Sequence, residues 1–453
     1  MFDIASLRAA SVRSLRNEPI PTLPFSSPFR FLRALRADAL DFLTKWADLG
    51  GVARFQSPLG TALLVTDPAA VQHVLEDHHN YVKEVRSARV FRIGLGNGLF
   101  LSEGETWQAQ RRTVQPAFHR ARLADMTDTM VEAIETMLAR WATFADQNQE
   151  FTLSDEGARL ALDVVGRALL GEDLRDELDA LTQSLSTIFR YFSHAIRHLA
   201  VVPRFVPIPR NRALQRALRT THRIVDQLIT LGAAVKDRDS PILSLLLEVY
   251  ESDQRDLHDI VTTFLGAAVE TTAVALSWTW YLLARHQEVE RRLRQEAKSV
   301  LAGRRARFED LAELAYTRIV IDEAMRLYPP AWVISRTALA NDEVCGFRIA
   351  AGSSVYASPW VTHRSARYWK DPEVFDPERF SSASKADRHP YAYYPFGGGP
   401  RACIGHRFSL AEQTLAVAMV VQKFRVRIAA KVTPEALFTL HPRGGIRATV
   451  SRA

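Results

Sequence analysis

Ten residues constrain this chain more than any other stretch: Phe396 to Gly405, in the order Phe-Gly-Gly-Gly-Pro-Arg-Ala-Cys-Ile-Gly. They hold Cys403, one of two cysteines among 453 residues. The glycines ahead of it let the backbone approach a bulky group and take positive φ. Gly405 and His406 open a long helical pattern directly after it. The sulfur therefore stands just before a helix N-terminus, where the dipole and the free N–H groups favour thiolate over thiol. Arg401, two residues before the sulfur, can pair with an anion beside the same site.

A thiolate that accepts backbone N–H bonds suits a single axial bond to iron. Three other readings compete. A buried structural cysteine needs neither the glycines nor the arginine nor the helix start. Cys403 and His406 would be a weak nucleophile and base, because such partners usually come from distant parts of a sequence. A disulfide with Cys345 is out of place in a cysteine-poor chain whose start shows no export signal. The spacing of Phe396, Gly399, Arg401, Cys403 and Gly405 resembles the heme-binding signature of cytochrome P450, the heme-thiolate monooxygenases. The resemblance implies heme b as cofactor, Cys403 as the axial iron ligand, and Phe396 beside the heme.

The length admits one large domain or two to three ordinary ones. Hydrophobic residues make up 47% and charged residues 24%, as in soluble globular proteins. The net charge of +7 is spread along the chain and not gathered in a tail. That argues against a nucleic-acid-binding arm and is compatible with a basic face for an acidic partner. The first residues, Met-Phe-Asp-Ile-Ala-Ser-Leu-Arg, contain no apolar run of signal-peptide or membrane-anchor length. Set beside the resemblance, this leads us to expect a soluble, bacterial-type, cytoplasmic monomer without a transmembrane anchor.

Residues 1–30, with four prolines from Pro19 to Pro28, read as an extended lead-in to a single domain over 31–453. Helical spacing from Phe31 to Leu49 precedes two short strands, Val52-Ala-Arg-Phe and Ala62-Leu-Leu-Val-Thr. Asp67-Pro68 caps a further helix. Residues 83–100 mix Arg, Phe and Gly without a clear period; the resemblance makes them the loop between the second and third helices, which lines the substrate pocket. Trp107 and Arg111 lie four apart on one helical face. Alone they would be a surface pair; the resemblance makes them holders of a heme propionate. Residues 125–200 are helical in pattern, and 186–210, with Pro203, Pro207 and Pro209, read as a helix followed by a loop over the pocket mouth.

From Ile260 to Ala284 the sequence is almost wholly apolar, long enough for a membrane span. Glu270 and five threonines within it favour the core helix of a large protein. Its centre, Gly266-Ala-Ala-Val-Glu270-Thr271-Thr, resembles the acid–alcohol pair of the family's oxygen-activating helix, which implies catalytic roles for Glu270 and Thr271 in proton delivery. Ala268 departs from the family, which usually has glycine there, and puts the geometry of the helical groove in question.

Glu323-Ala-Met-Arg326 and Asp376-Pro-Glu-Arg379 would each be ordinary surface pairs in isolation. Together they resemble the family's buried Glu–Arg–Arg network, whose role is structural. Val333 to Arg336 reads as a strand, and the resemblance makes Arg336 and Arg401 further propionate partners. Glu343 to Tyr356 is a strand–turn–strand pattern, and Leu437 to Gly445 a late hairpin whose turn reaches the pocket. The apolar pocket candidates are Phe91, Leu99, Val269, Val333 and Phe438.

The expected fold is mainly α with a minor β region (α+β), with heme between the central helix and the cysteine loop. The expected function is insertion of one oxygen atom from O2 into a hydrophobic small molecule such as a fatty acid, terpenoid, steroid or polyketide. Electrons would come from NAD(P)H through a separate ferredoxin or flavodoxin and its reductase. A peroxide-driven peroxygenase is one alternative; the resembled peroxygenases replace the acid–alcohol pair, which Glu270-Thr271 retains. A non-catalytic heme sensor or transport protein is the other.

Overall fold

The computed structural model describes residues 20–23, 33, 36–57, 60–171, 174, 176–198, 202–234, 242–250, 253–385 and 387–453. Most of the expected lead-in and the start of the first expected helix lie outside them. Within the lead-in, Thr22–Leu23 forms a short strand parallel to Val52–Ser57.

The central helix runs from Gln254 to Arg285, 32 residues, with Asp253 as N-cap accepting the Asp256 N–H. Its apolar residues occupy every face, so it is stable only when enclosed. It is the one described helix long and apolar enough to cross a membrane, and 83% of its most apolar window is buried inside the protein. Helix Leu153–Val164 lies against it so closely that a Cβ on Gly157 would come 3.0 Å from Ala273 Cα. Trp278 stacks on Tyr328, centroids 4.0 Å apart, and donates to the Leu440 carbonyl at 2.8 Å. Those contacts tie the central helix both to the end of helix Ala315–Leu327 and to the C-terminal hairpin.

The β region is small. A six-stranded mixed sheet has the order Thr22–Leu23, Val52–Ser57, Gly60–Val65, Ser354–Ala357, Ile334–Ala338, Tyr81–Lys83. Residues Leu63, Val65, Val355 and Ala357 are buried in one apolar cluster, Ala53, Phe55 and Leu64 in another, as alternation across a two-sided sheet requires. The helix after the second hairpin strand starts at Pro68 with the Asp67 carboxylate accepting the Ala69 N–H at 2.9 Å, as its sequence predicts.

Residues 83–100 do not form the expected loop. Val85–Leu95 is a helix whose Glu84 N-cap accepts the Ser87 N–H at 2.6 Å. Ala88 and Leu95 are buried, and Phe91 between them packs on the same core, while the arginines Arg86, Arg89 and Arg92 take other faces. The interleaved arginines and Gly94 obscured that period. Gly94 is required by close packing, since a Cβ there would lie 2.5 Å from Ile188.

Glu323 and Arg326 are fully buried and joined at 2.6 and 2.8 Å. The Asp376 N–H adds a third hydrogen bond at 2.9 Å, and Arg379 brings its Nε to 3.4 Å from the same carboxylate as an ion pair. Arg326 also donates to the carbonyls of His363, Pro372 and Val374. Burial pushes the Glu323 carboxyl up, and the guanidiniums only partly hold it back. The set thus binds the segment 363–380, which leads to the cysteine loop, onto helix Ala315–Leu327.

Candidate active site

The cysteine loop leans on the C-terminal end of helix Pro68–Glu76. Gly397 and Gly399 take φ of +73° and +63°, and a Cβ on Gly399 would sit 2.2 Å from the Leu75 carbonyl oxygen. Tyr391 buttresses the loop, accepting the Gly399 N–H and donating to Glu76, both at 3.0 Å. The Cys403 N–H reaches back to the Phe396 carbonyl at 2.9 Å, closing the turn. The next helix, His406–Lys423, begins with Gly405 as N-cap.

Cys403 and Cys345 are both free, and both are exposed. Protein atoms crowd the Cys403 thiol from behind while its outward side is uncovered. That crowding pushes the thiol pKa up; the Gly405 N–H and the Arg111 charge offset it only in part. Burial thus opposes the ionisation that the helix start favours.

Trp107 and Arg111 share helix Gly104–Val114, but they do not pair with each other as that spacing suggested. Arg111 donates to the Ala402 carbonyl at 2.8 Å, beside the cysteine. The buried Trp107 indole is covered instead by Arg401, whose guanidinium carbon lies 3.9 Å from the ring centroid. Arg401 also donates to the Ser102 carbonyl at 2.8 Å and pairs with Glu103.

Arg336 is 5% exposed and donates to its neighbouring Ser335 carbonyl at 2.9 Å. Its strand partner is Lys83, a residue that sequence reasoning missed, because the pairing of Tyr81–Lys83 with Ile334–Ala338 joins segments about 250 residues apart. Lys83 holds its ammonium 4.5 Å above the Phe100 ring. Burial and the neighbouring Arg401 push Arg336 down to about 10. Arg401 falls to about 10 by burial, against the pull of Glu103. Lys83 drops well below its ordinary value, through burial and then the charges of Arg336 and Arg401. Among the described residues, three cations thus converge with one carboxylate, Glu103.

On the other side stands the middle of the central helix, which is α-helical without interruption through Ala268. Within this otherwise buried element Ala267 is exposed and Ala268 and Thr271 half-buried, a strip along one face. The Thr271 hydroxyl donates to the Ala267 carbonyl at 2.8 Å. The buried Thr272 shares a hydrogen bond with Ser409 on the cysteine helix, and Phe118 bridges Phe264 and Phe408. Glu270 faces away from Thr271's partner: its Oε1 accepts from Thr439 at 3.0 Å and pairs with His441 of the C-terminal hairpin.

Aromatic rings form an apolar wall where the hairpin tip meets two helices. Phe438 lies 5.0 Å from Phe91 and 4.9 Å from Phe189, and Phe91 lies 5.3 Å from Phe192. The Phe438 N–H is held by Ser193 at 2.8 Å. Leu99 and Val269 belong to the same apolar core. Val333 does not; it packs with Trp46 and Phe55 in a separate cluster. A groove of about 930 Å³ runs along helix Pro209–Ala234, lined by Leu218, His222 and Leu231, and none of the site residues lines it.

Heme b presents two carboxylates, a broad apolar ring and an iron that takes a sulfur ligand. The residues fit each part. Lys83, Arg336 and Arg401 carry more buried positive charge than Glu103 balances, which two carboxylates would neutralise. The uncovered strip of the central helix is small and apolar around Thr271, and the Cys403 thiol is uncovered on one side. Fold and site together define a heme-thiolate oxidoreductase.

The chain belongs to the cytochrome P450 family, whose model matches residues 47–446. It is a heme-dependent monooxygenase by that membership. It is similar to cyclooctatin synthase of Streptomyces melanosporofaciens, 32% identical over 94% of this chain and 94% of that one. Pentalenene oxygenase of Streptomyces avermitilis is 31% identical over 89% of this chain and 91% of its own length. The crystal structure of the cytochrome P450DA heme domain superposes with a TM-score of 0.86 at 25% identity, covering 96% of this chain and 98% of that one.

Proposed function

We propose that this monooxygenase, a single heme domain over residues 31–453, hydroxylates an apolar hydrocarbon skeleton of terpenoid type, with electrons from a separate acidic ferredoxin or flavodoxin. The observation that carries the reading is the wall of Phe91, Phe189, Phe192 and Phe438, which meets Leu99 and Val269 in one apolar core. Such a surface binds by excluded water and ring contact and offers few polar anchors. A relative named for pentalenene, a hydrocarbon, supports the same class.

When bound, heme supplies the redox chemistry that activates dioxygen. Cys403, on the turn that Phe396 closes, would hold the iron through its sulfur. Trp107, Arg111, Arg336 and Arg401 would hold the propionate edge, and Lys83 would join them. Burial disfavours their charged forms, and the propionate carboxylates would offset that penalty. Thr271 presents its hydroxyl on the uncovered strip, where it orients and passes protons. Glu270 supplies those protons from the opposite flank. Phe438, anchored by Ser193, closes the apolar side and excludes water from it.

Screening C10 to C20 hydrocarbons, alcohols and fatty acids for substrate-induced shifts of the heme spectrum tests the substrate class. Cyclic hydrocarbons shifting the spectrum at lower concentration than fatty acids is the expected result. A preference for fatty acids would replace the reading. Aerobic turnover with a surrogate ferredoxin and reductase, compared with peroxide alone, separates the monooxygenase route from the peroxygenase one.

A further inference from the structure

The partner of Glu270 is unusual for so apolar a setting. Glu270 is 8% exposed, in the middle of a helix that is apolar on every face. A carboxylate there is tolerated only if its bonds are supplied. Two residues of the C-terminal hairpin supply them, Thr439 at 3.0 Å and the Nε2 of His441, both at Oε1.

The contacts continue outward. His441 stands directly opposite Glu435 in the antiparallel pair Pro434–Ala436 and Leu440–Pro442. Glu435 in turn accepts from Arg197 of helix Leu178–His198 at 3.3 Å, and Arg197 also donates to the Ala436 carbonyl. The side chains outside the central helix are more open than Glu270, which is 11% exposed: His441 is 28%, Glu435 25% and Arg197 34%. The charged groups facing His441 are therefore Glu270 from the central helix and Glu435 from the other strand, with Arg197 behind Glu435.

We propose that His441 is the positioning residue of Glu270 and its source of protons from solvent. This rests on the reading of Glu270 as the acid that feeds Thr271. When Glu270 has given a proton inward, the His441 Nε2–H bond breaks and an O–H bond forms at Oε1. The imidazolium becomes the neutral Nδ1–H imidazole, and its bare Nε2 takes a proton from hydronium or protonated buffer in the solvent to which the ring is partly open. One proton passes inward and no electrons move. Burial alone would lower the His441 pKa, but the bond to Glu270, its charge and that of Glu435 outweigh it, and the imidazole is raised above its ordinary value. A raised pKa means that the donor form is fully present at low pH and is lost as pH rises through the folded value.

The test uses the heme-loaded enzyme with two readouts. The first is the ring-proton NMR titration of [13Cε1]-histidine protein, with the His441 signal identified by its absence from His441→Gln. The second is the share of NADPH equivalents that reach product, across about pH 5 to 8, using a surrogate ferredoxin and a hydrocarbon chosen by its spectral shift. Glutamine keeps a donor toward Glu270 and cannot titrate. The His441 midpoint should stand above that of exposed histidines and fall in Glu270→Gln. Wild-type coupling should decline as pH rises through that midpoint, while His441→Gln should be flat and about tenfold lower at the acid end. If Glu270→Gln uncouples the enzyme but His441→Gln keeps the wild-type pH profile, His441 is a clamp only and the inference is wrong, while the role of Glu270 stands. Unchanged coupling in Glu270→Gln overturns that role and the inference with it. A His441 midpoint indifferent to Glu270→Gln also overturns the inference.

Discussion

Arg401 lies over the Trp107 indole, its guanidinium carbon 3.9 Å from the ring centroid, and turns its edge to Glu103. The stacked cation joins the cysteine loop to helix Gly104–Val114, two segments almost 300 residues apart. Arg336 and Lys83 complete the group, and their mutual repulsion is what a pair of carboxylates would relieve.

Removing one of these cations should therefore loosen heme and leave the fold intact. Arg336→Ala is expected to lose heme to apomyoglobin at least tenfold faster than wild type, since a bond to a charged group is worth about 1.5–3 kcal/mol. The transfer rate, followed at the Soret band, checks this. An unchanged rate would place Arg336 outside the propionate edge.

Thr271 carries the uncovered polar group of the central helix. Thr271→Ala should bind heme and substrate as wild type does but divert reducing equivalents to peroxide and water. Peroxide release against NADPH consumed measures the effect. Full coupling in the variant would remove Thr271 from proton delivery.

Glu323 bonds the fully buried Arg326 guanidinium and one backbone N–H and forms an ion pair with Arg379. Glu323→Ala leaves Arg326 buried without its carboxylate, a loss of about 3–5 kcal/mol. Little soluble holoprotein is expected, and what remains should melt lower by calorimetry. A variant with normal heme content and melting temperature would contradict the buried network.

Much of this was legible in the sequence because the carriers are local. Phe396 to Gly405 fixes its own turn, and Asp67-Pro68 caps its own helix. The apolar run around Glu270 is long enough for a membrane span, but Glu270 and the threonines within it mark it as a core helix. What could not be read depends on distant partners. Lys83 gains its place only from pairing with a strand 250 residues away. Trp107 and Arg111 have helical spacing, yet the long-range contacts of Arg401 and Ala402 decide what each touches. Helix Val85–Leu95 was hidden because its arginines fall between the apolar positions, and His441 because a hairpin residue shows no sign of its partner on a helix.

The redox partner should dock where the cysteine helix begins. Arg401 is turned inward and burial holds the His406 imidazole below its ordinary value, so Arg407 is the exposed cation of that segment. Steering by such charges is screened over about 8–10 Å and acts on association. First-electron transfer from an acidic ferredoxin, followed by stopped flow, should slow as salt rises and slow further in Arg407→Glu. A rate indifferent to both would move the docking face elsewhere.

The central claim is that Cys403 is the heme ligand, and the reduced, CO-bound spectrum tests it most directly. Wild type and Cys345→Ser should both show the red-shifted Soret band of thiolate-ligated heme, while Cys403→His should retain heme and lose that band. The band surviving in Cys403→His, or vanishing in Cys345→Ser, would contradict the account.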